Sequence, residues 1–260
     1  MPPTEPETDL DRRLTLSEHL EELRARVIRG LLALAVGVVV CLLFQHTLVG
    51  IAIRPHVRTM EANGLPSSLT VLSYTESFSA HLMVTMIGAC FLAAPYMLFQ
   101  LWLFIRAGLY RTERQYVTRY IPATLGLFAA GVSFGYFVLI PVALGFLISY
   151  GSDIVSPSIT MQDYLTFFFL LTFAVGVVFE LPLFMVFFVR AGILRAEQYA
   201  TYRRHWILAA FIIGAVFTPP DPLSQTLLAV PLLGLYEVGI WMCRRVERRR
   251  DQEPARLSPS

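Results

Sequence analysis

The chain has 260 residues, 55% of them hydrophobic and only 15% charged, with a mean hydropathy of +0.59. Soluble domains carry about 25% charged residues, so the apolar surplus has to face lipid, and a single-domain aqueous protein is excluded. The net charge of +2 is unremarkable and no nucleic-acid partner is expected; that all 21 basic residues are arginine reads as coding bias.

Residues 1–26 form a polar, acid-rich segment with no cleavage site behind the first apolar run, so no cleavable signal peptide is expected. Six apolar runs follow, at about 27–44, 78–105, 117–149, 164–189, 206–217 and 223–243. Five are long enough to cross a hydrocarbon core of roughly 30 Å at about 1.5 Å per residue. Prolines 95, 122, 141, 182 and 231 lie inside them, which membrane helices tolerate where neighbours satisfy the freed carbonyls. The run 206–217 is short, but polar interfaces flank it: Tyr202 to His205 before, and Thr218 to Asp221 after. It reads as a short span that thins the bilayer locally. The segment 45–77 is too long for a structureless loop and is expected to fold over the outer mouth as short interfacial helices. Residues 244–260 form a basic tail, expected to be disordered.

Arginine placement orients the chain. Nineteen of the 21 lie before or at the start of run one, between run two and the start of run three, after run four, or in the tail, and only Arg54 and Arg58 lie on the other side. The positive-inside rule then puts both termini in the cytoplasm. The expected fold is an all-α membrane domain of six transmembrane helices over 27–243.

Few residues stand out for chemistry. Cys41, Cys90 and Cys243 have no metal or disulfide spacing, and the five histidines are scattered without a nucleophile motif. No catalytic residue, metal or cofactor is expected. Glu22 lies in the amphipathic stretch Ser17–Arg26, where spacing alone favours an ordinary i,i+4 pair with Arg26. The sharper reading is a carboxylate that receives a guanidinium in bidentate fashion. Glu113, in the short loop after run two, reads on spacing alone as a charge balancing Arg111 and Arg114. Glu180 lies deep in run four, where an ionisable group costs a few kcal/mol and should face a cavity, partner or donor. Its bland reading is a protonated carboxyl filling the hydrogen-bond gap left by Pro182. Glu237 has a weaker claim and could pair with Arg244. Asp221 reads as an N-cap ahead of Pro222. Gln225, just inside run six, can bond across helices.

Taken in order, His19-Leu-Glu-Glu22-Leu-Arg24, Phe104-Ile-Arg-Ala-Gly-Leu-Tyr110 with Glu113-Arg114, Phe134-Gly-Tyr-Phe137 with Pro141, Phe179-Glu-Leu-Pro182 and Thr218-Pro-Pro-Asp-Pro-Leu-Ser-Gln-Thr226 resemble the TatC family, the large subunit of the twin-arginine protein translocase. The resemblance covers about residues 17–242. It implies a cupped six-helix bundle in the bacterial inner membrane that receives twin-arginine signal peptides of folded cargo. The transport energy would come from the proton-motive force. Glu22 and Glu113 would hold the two arginines, with Arg24 and Phe104 beside them. Glu180 would perturb the bilayer and engage the small single-span subunits TatA and TatB, with Thr218 and Gln225 forming a polar patch for a partner helix. Other copies of the chain are expected partners too. One departure is Ala107, where the family usually has proline.

The competing reading is a secondary transporter for a small solute. It would call for repeat symmetry and several convergent polar groups at the midplane, whereas the sequence offers one deep carboxylate and no detectable repeat.

Overall fold

The structure is a computed structural model that describes residues 16–107, 111–151, 159–218 and 222–256. Ten α-helices and one π-helical turn make up these residues: α1 (Leu16–Leu43), α2 (Gln45–Ala62), α3 (Tyr74–Ala107), α4 (Arg111–Phe134), the π turn (Gly135–Leu139), α5 (Ile140–Gly151), α6 (Met161–Val178), α7 (Leu181–Arg190), α8 (Ala196–Thr201), α9 (Arg203–Phe217) and α10 (Pro222–Arg256). Five helical stretches are long and apolar enough to cross a membrane: Ser17–Leu43, Tyr74–Ile105, Ile121–Ser149, Met161–Arg190 and Gln225–Arg248. The chain is a multi-pass membrane protein. Helix α9 has 15 residues, about 22 Å of rise, and remains short of a full hydrocarbon core.

Two expected spans are internally broken, each at a proline. Run three bends through the π turn, in which the Ile140 N–H bonds Gly135 O. An α-helical turn would press the Pro141 ring against the carbonyl four residues back, and the widened turn relieves that clash. Run four stops at Val178 and restarts at Leu181. Pro182 therefore sits in a first turn, whose N–H groups have no helical partner in any case.

Close helix crossings are made by small residues, as membrane packing favours. Helix α1 runs antiparallel to α3 and packs chiefly along it. At Gly37 a side chain would lie 3.1 Å from the Ala89 carbonyl. Helix α4 crosses α6 at Gly131, where an added Cβ would come within 2.8 Å of Phe179 and 2.9 Å of Gly176. One buried cluster gathers around Ile140, Leu165, Leu171, Leu228 and Leu232, and a second around Trp102, Met185, Val186 and Ile240.

The segment 45–77 is ordered differently from expectation. It forms one 18-residue helix, α2, and then extended backbone that pairs with the start of α6: Thr70 N–H bonds Ile159 O at 3.0 Å and Met161 N–H bonds Thr70 O at 3.0 Å. Pro55 lies inside α2 and leaves the Ile51 carbonyl without its helical donor. The Tyr136 hydroxyl supplies one at 2.9 Å. The Tyr164 hydroxyl donates to Ala52 O at 2.6 Å and faces the His56 N–H, so it is inserted into the ladder. At the other end of the chain, α10 continues to Arg256 in place of a disordered tail. Residues 244–253 are rich in helix-forming Arg, Glu and Gln and contain neither Gly nor Pro.

Candidate functional site

The α1–α3 pair assembles a polar cluster at its arginine-rich end. His19, in the first turn of α1, stacks its ring on Phe104 of α3, with centroids 4.4 Å apart and planes at 21°. One turn on, Glu22 accepts two hydrogen bonds from Arg26, from Nε at 3.1 Å and from a terminal nitrogen, both on Oε1. The ordinary i,i+4 pair is therefore present. Sequence spacing did not reveal its third member: the other terminal nitrogen of Arg26 donates to Gln100 Oε1 at 3.2 Å. Gln100 is buried in α3, one turn before Phe104. Three residues of α1 thus meet two of α3 in a small seat with an aromatic floor and a carboxylate wall. Arg24 is exposed beside it.

Glu113 is in the first turn of α4, across the 108–110 connection from Phe104. Its side chain lies outside the described residues, as do those of Arg106, Ala107, Arg111 and Arg114.

Glu180 stands apart from this seat, in the break between α6 and α7. It is 1% exposed, and neither carboxyl oxygen has a hydrogen-bond partner among the described residues. Its carbonyl caps the new helix, accepting from Leu183 N–H at 3.0 Å and Phe184 N–H at 3.1 Å. The gap-filling role beside Pro182 is contradicted, because neither carboxyl oxygen bonds a backbone group among the described residues. Thr124 and Phe128 of α4 face the carboxyl. Thr124 is fixed in turn by the buried Trp102 indole, which donates to its hydroxyl at 2.7 Å.

Thr218 and Gln225 are brought together at the α9–α10 crossing. Gly214 approaches the Gln225 backbone so closely that an added Cβ would lie 3.1 Å from its carbonyl. The same Gly214 carbonyl accepts the Thr218 hydroxyl at 2.8 Å. Asp221 lies outside the described residues. Glu237 does not pair with Arg244: both its oxygens engage Arg203 of α9, at 2.7 and 2.8 Å, on an exposed face. Arg203 is brought alongside by the antiparallel packing of α9 on α10. Arg245 instead lies over the Trp241 ring, 3.6 Å from its centroid. In the part of α8 facing α10, Tyr199 is half-buried and its phenol is pushed up to about 12 by loss of solvent.

Known proteins resemble the chain over most of its length. The family model described as Sec-independent protein translocase protein (TatC) matches residues 18–231. A Sec-independent protein translocase protein TatC from Halothiobacillus neapolitanus is 39% identical over 226 residues, 87% of this chain and 61% of that protein. One of the same name from Carboxydothermus hydrogenoformans is 34% identical over 238 residues, 91% of this chain and 96% of that protein. A crystal structure of a twin-arginine translocase receptor, TatC, superposes with a TM-score of 0.80 at 31% identity, covering 88% of this chain and all of that one.

Proposed function

The chain belongs to the TatC family, and from that premise we propose that it is the signal-peptide receptor and core subunit of a twin-arginine translocase. In this role it is a transport component, not an enzyme. It sits in the bacterial cytoplasmic membrane with six spans, α9 being the short fifth, and both termini in the cytoplasm. It exports folded proteins at the expense of the proton-motive force.

The observation that carries the reading is the seat at the end of α1 and α3. A twin-arginine segment needs carboxylates on an otherwise basic surface, because guanidinium binds carboxylate through two parallel hydrogen bonds. It also needs an aromatic face for the guanidinium plane and a greasy wall for the apolar stretch that follows. Glu22 supplies the carboxylate, the His19–Phe104 stack the face, and the exposed apolar side of α1, including Val27, Leu31 and Leu32, the wall. Glu113, in the first turn of α4, is the second carboxylate, and Arg24 borders the seat. Glu180, with Thr218 and Gln225, engages the single-span partners TatA and TatB, and further copies of the chain complete the complex.

The test is binding of a twin-arginine signal peptide to the full-length protein in membranes. Glu22→Ala and Glu113→Ala together should weaken it by at least about a hundredfold, since each loses a charge-assisted pair of roughly 1.5–3 kcal/mol, while the melting temperature stays within a few degrees. Crosslinkers at positions 22 and 113 should label that peptide and spare a twin-lysine control. Equal labelling of both peptides, or unchanged binding by the double variant, refutes the receptor role.

A further inference from the structure

We propose that Arg26 is a built-in competitor for Glu22, so that an entering arginine docks by displacing an arginine already in place. The proposal deepens the receptor reading above and rests on Glu22 belonging to the seat. Arg26 presents to Glu22 the same chemical group that a twin-arginine ligand carries. Its Nε and one terminal nitrogen both bond Oε1, and among the described residues no donor bonds Oε2. The second terminal nitrogen is held across the helix interface by buried Gln100 at 3.2 Å. Arg26 is therefore anchored by tertiary structure as well as by helical spacing. The pair keeps only 15% and 23% of its side-chain surface exposed, so salt screens it less than a surface pair.

The geometry gives displacement an order. Oε2, bonded by no donor among the described residues, offers a first contact to an incoming guanidinium. A full bidentate bond needs both oxygens, and Oε1 becomes available only when Arg26 swings away. An arginine ligand replaces the two bonds it breaks. A lysine ammonium is a compact point charge without the planar fork and does not. The internal pair thus lowers by the same factor the affinity of every cation that must displace it, and the planar fork of the ligand alone sets the preference for arginine over lysine.

The experiment measures Kd of the full-length protein in lipid nanodiscs for two synthetic peptides, one with Arg-Arg and one with Lys-Lys ahead of the same apolar stretch. Arg26→Gln should bind the Arg-Arg peptide about three- to tenfold more tightly. It should tighten the Lys-Lys peptide by a similar factor, so the ratio of the two constants stays near its wild-type value. Arg26→Lys, which keeps the charge and loses the fork, should fall between wild type and Arg26→Gln, and it serves if the neutral variant does not fold. In a Glu22→Gln background, Arg26→Gln should change nothing. Unchanged or weaker binding by a stably folded Arg26→Gln overturns the proposal. So does tightening that persists without the Glu22 charge, which would mark general repulsion in place of competition. Wild-type binding by Glu22→Gln alone would instead dismiss the seat itself.

Discussion

His56 is 1% exposed, lies 5.0 Å from the Tyr164 ring, and has neither ring nitrogen hydrogen-bonded among the described residues. Burial penalises its charged form and pushes its pKa below the ordinary value near 6.5. The unfolded chain then takes up the proton first as pH falls. Stability tied to the neutral ring is complete above about pH 6.5 and is lost as pH drops through the lower folded value. The melting temperature should decline between pH 7.5 and 5, and His56→Phe should flatten that decline; an unaltered slope in the variant would assign it to other groups. Single residues were unevenly legible in the sequence. Glu22 and Arg26 announce their pairing by spacing. His56 did not stand out, because nothing local says that an amphipathic segment is folded back onto the bundle. Gln100 was equally silent: a lone amide in an apolar run declares a partner without naming it, and the partner came from 74 residues away.

Secondary structure was easier to read than its interruptions. Apolar length located five long stretches, since lipid imposes a minimum that few soluble helices reach. The break at Phe179–Glu180 and the π turn before Pro141 were hidden within continuous apolar runs, where hydropathy stays high whether or not the ladder is intact. Helix α2 shows how such interruptions are repaired. Tyr136, from the π turn, and Tyr164, from α6, satisfy the carbonyls around its proline and so tie α2 to two membrane helices. Tyr164→Phe should cost about 1–3 kcal/mol, because a buried acceptor loses its donor, and the more exposed Tyr136→Phe about 0.5–1.5 kcal/mol. In a Pro55→Ala background, where Ile51 regains a helical N–H, the Tyr136→Phe penalty should shrink by half or more. A penalty as large as before, in thermal melts of the four variants, would mean that the proline and this tyrosine are not coupled.

The whole molecule separates the proposed peptide seat from the buried carboxyl. The seat lies on α1 and α3, whereas Glu180 is enclosed by α4, α6 and α7 behind the Trp102–Thr124 bond. Glu180→Ala should therefore leave signal-peptide affinity within about twofold while the yield of copurified single-span partners drops severalfold. Normal copurification together with normal export would remove that role. The two regions also differ in how deeply they are enclosed. Within their most apolar windows, 17% of residues are buried along α1, against 61% along α6 and α7. Helix α1 leans on α3 and turns Leu31, Leu32, Val36 and Val39 outward. An oily stretch trailing a docked arginine pair would consequently lie among acyl chains, along an open flank. Such a side entrance dispenses with a standing aqueous bore through this subunit, and a membrane holding many idle copies would leak no protons through it.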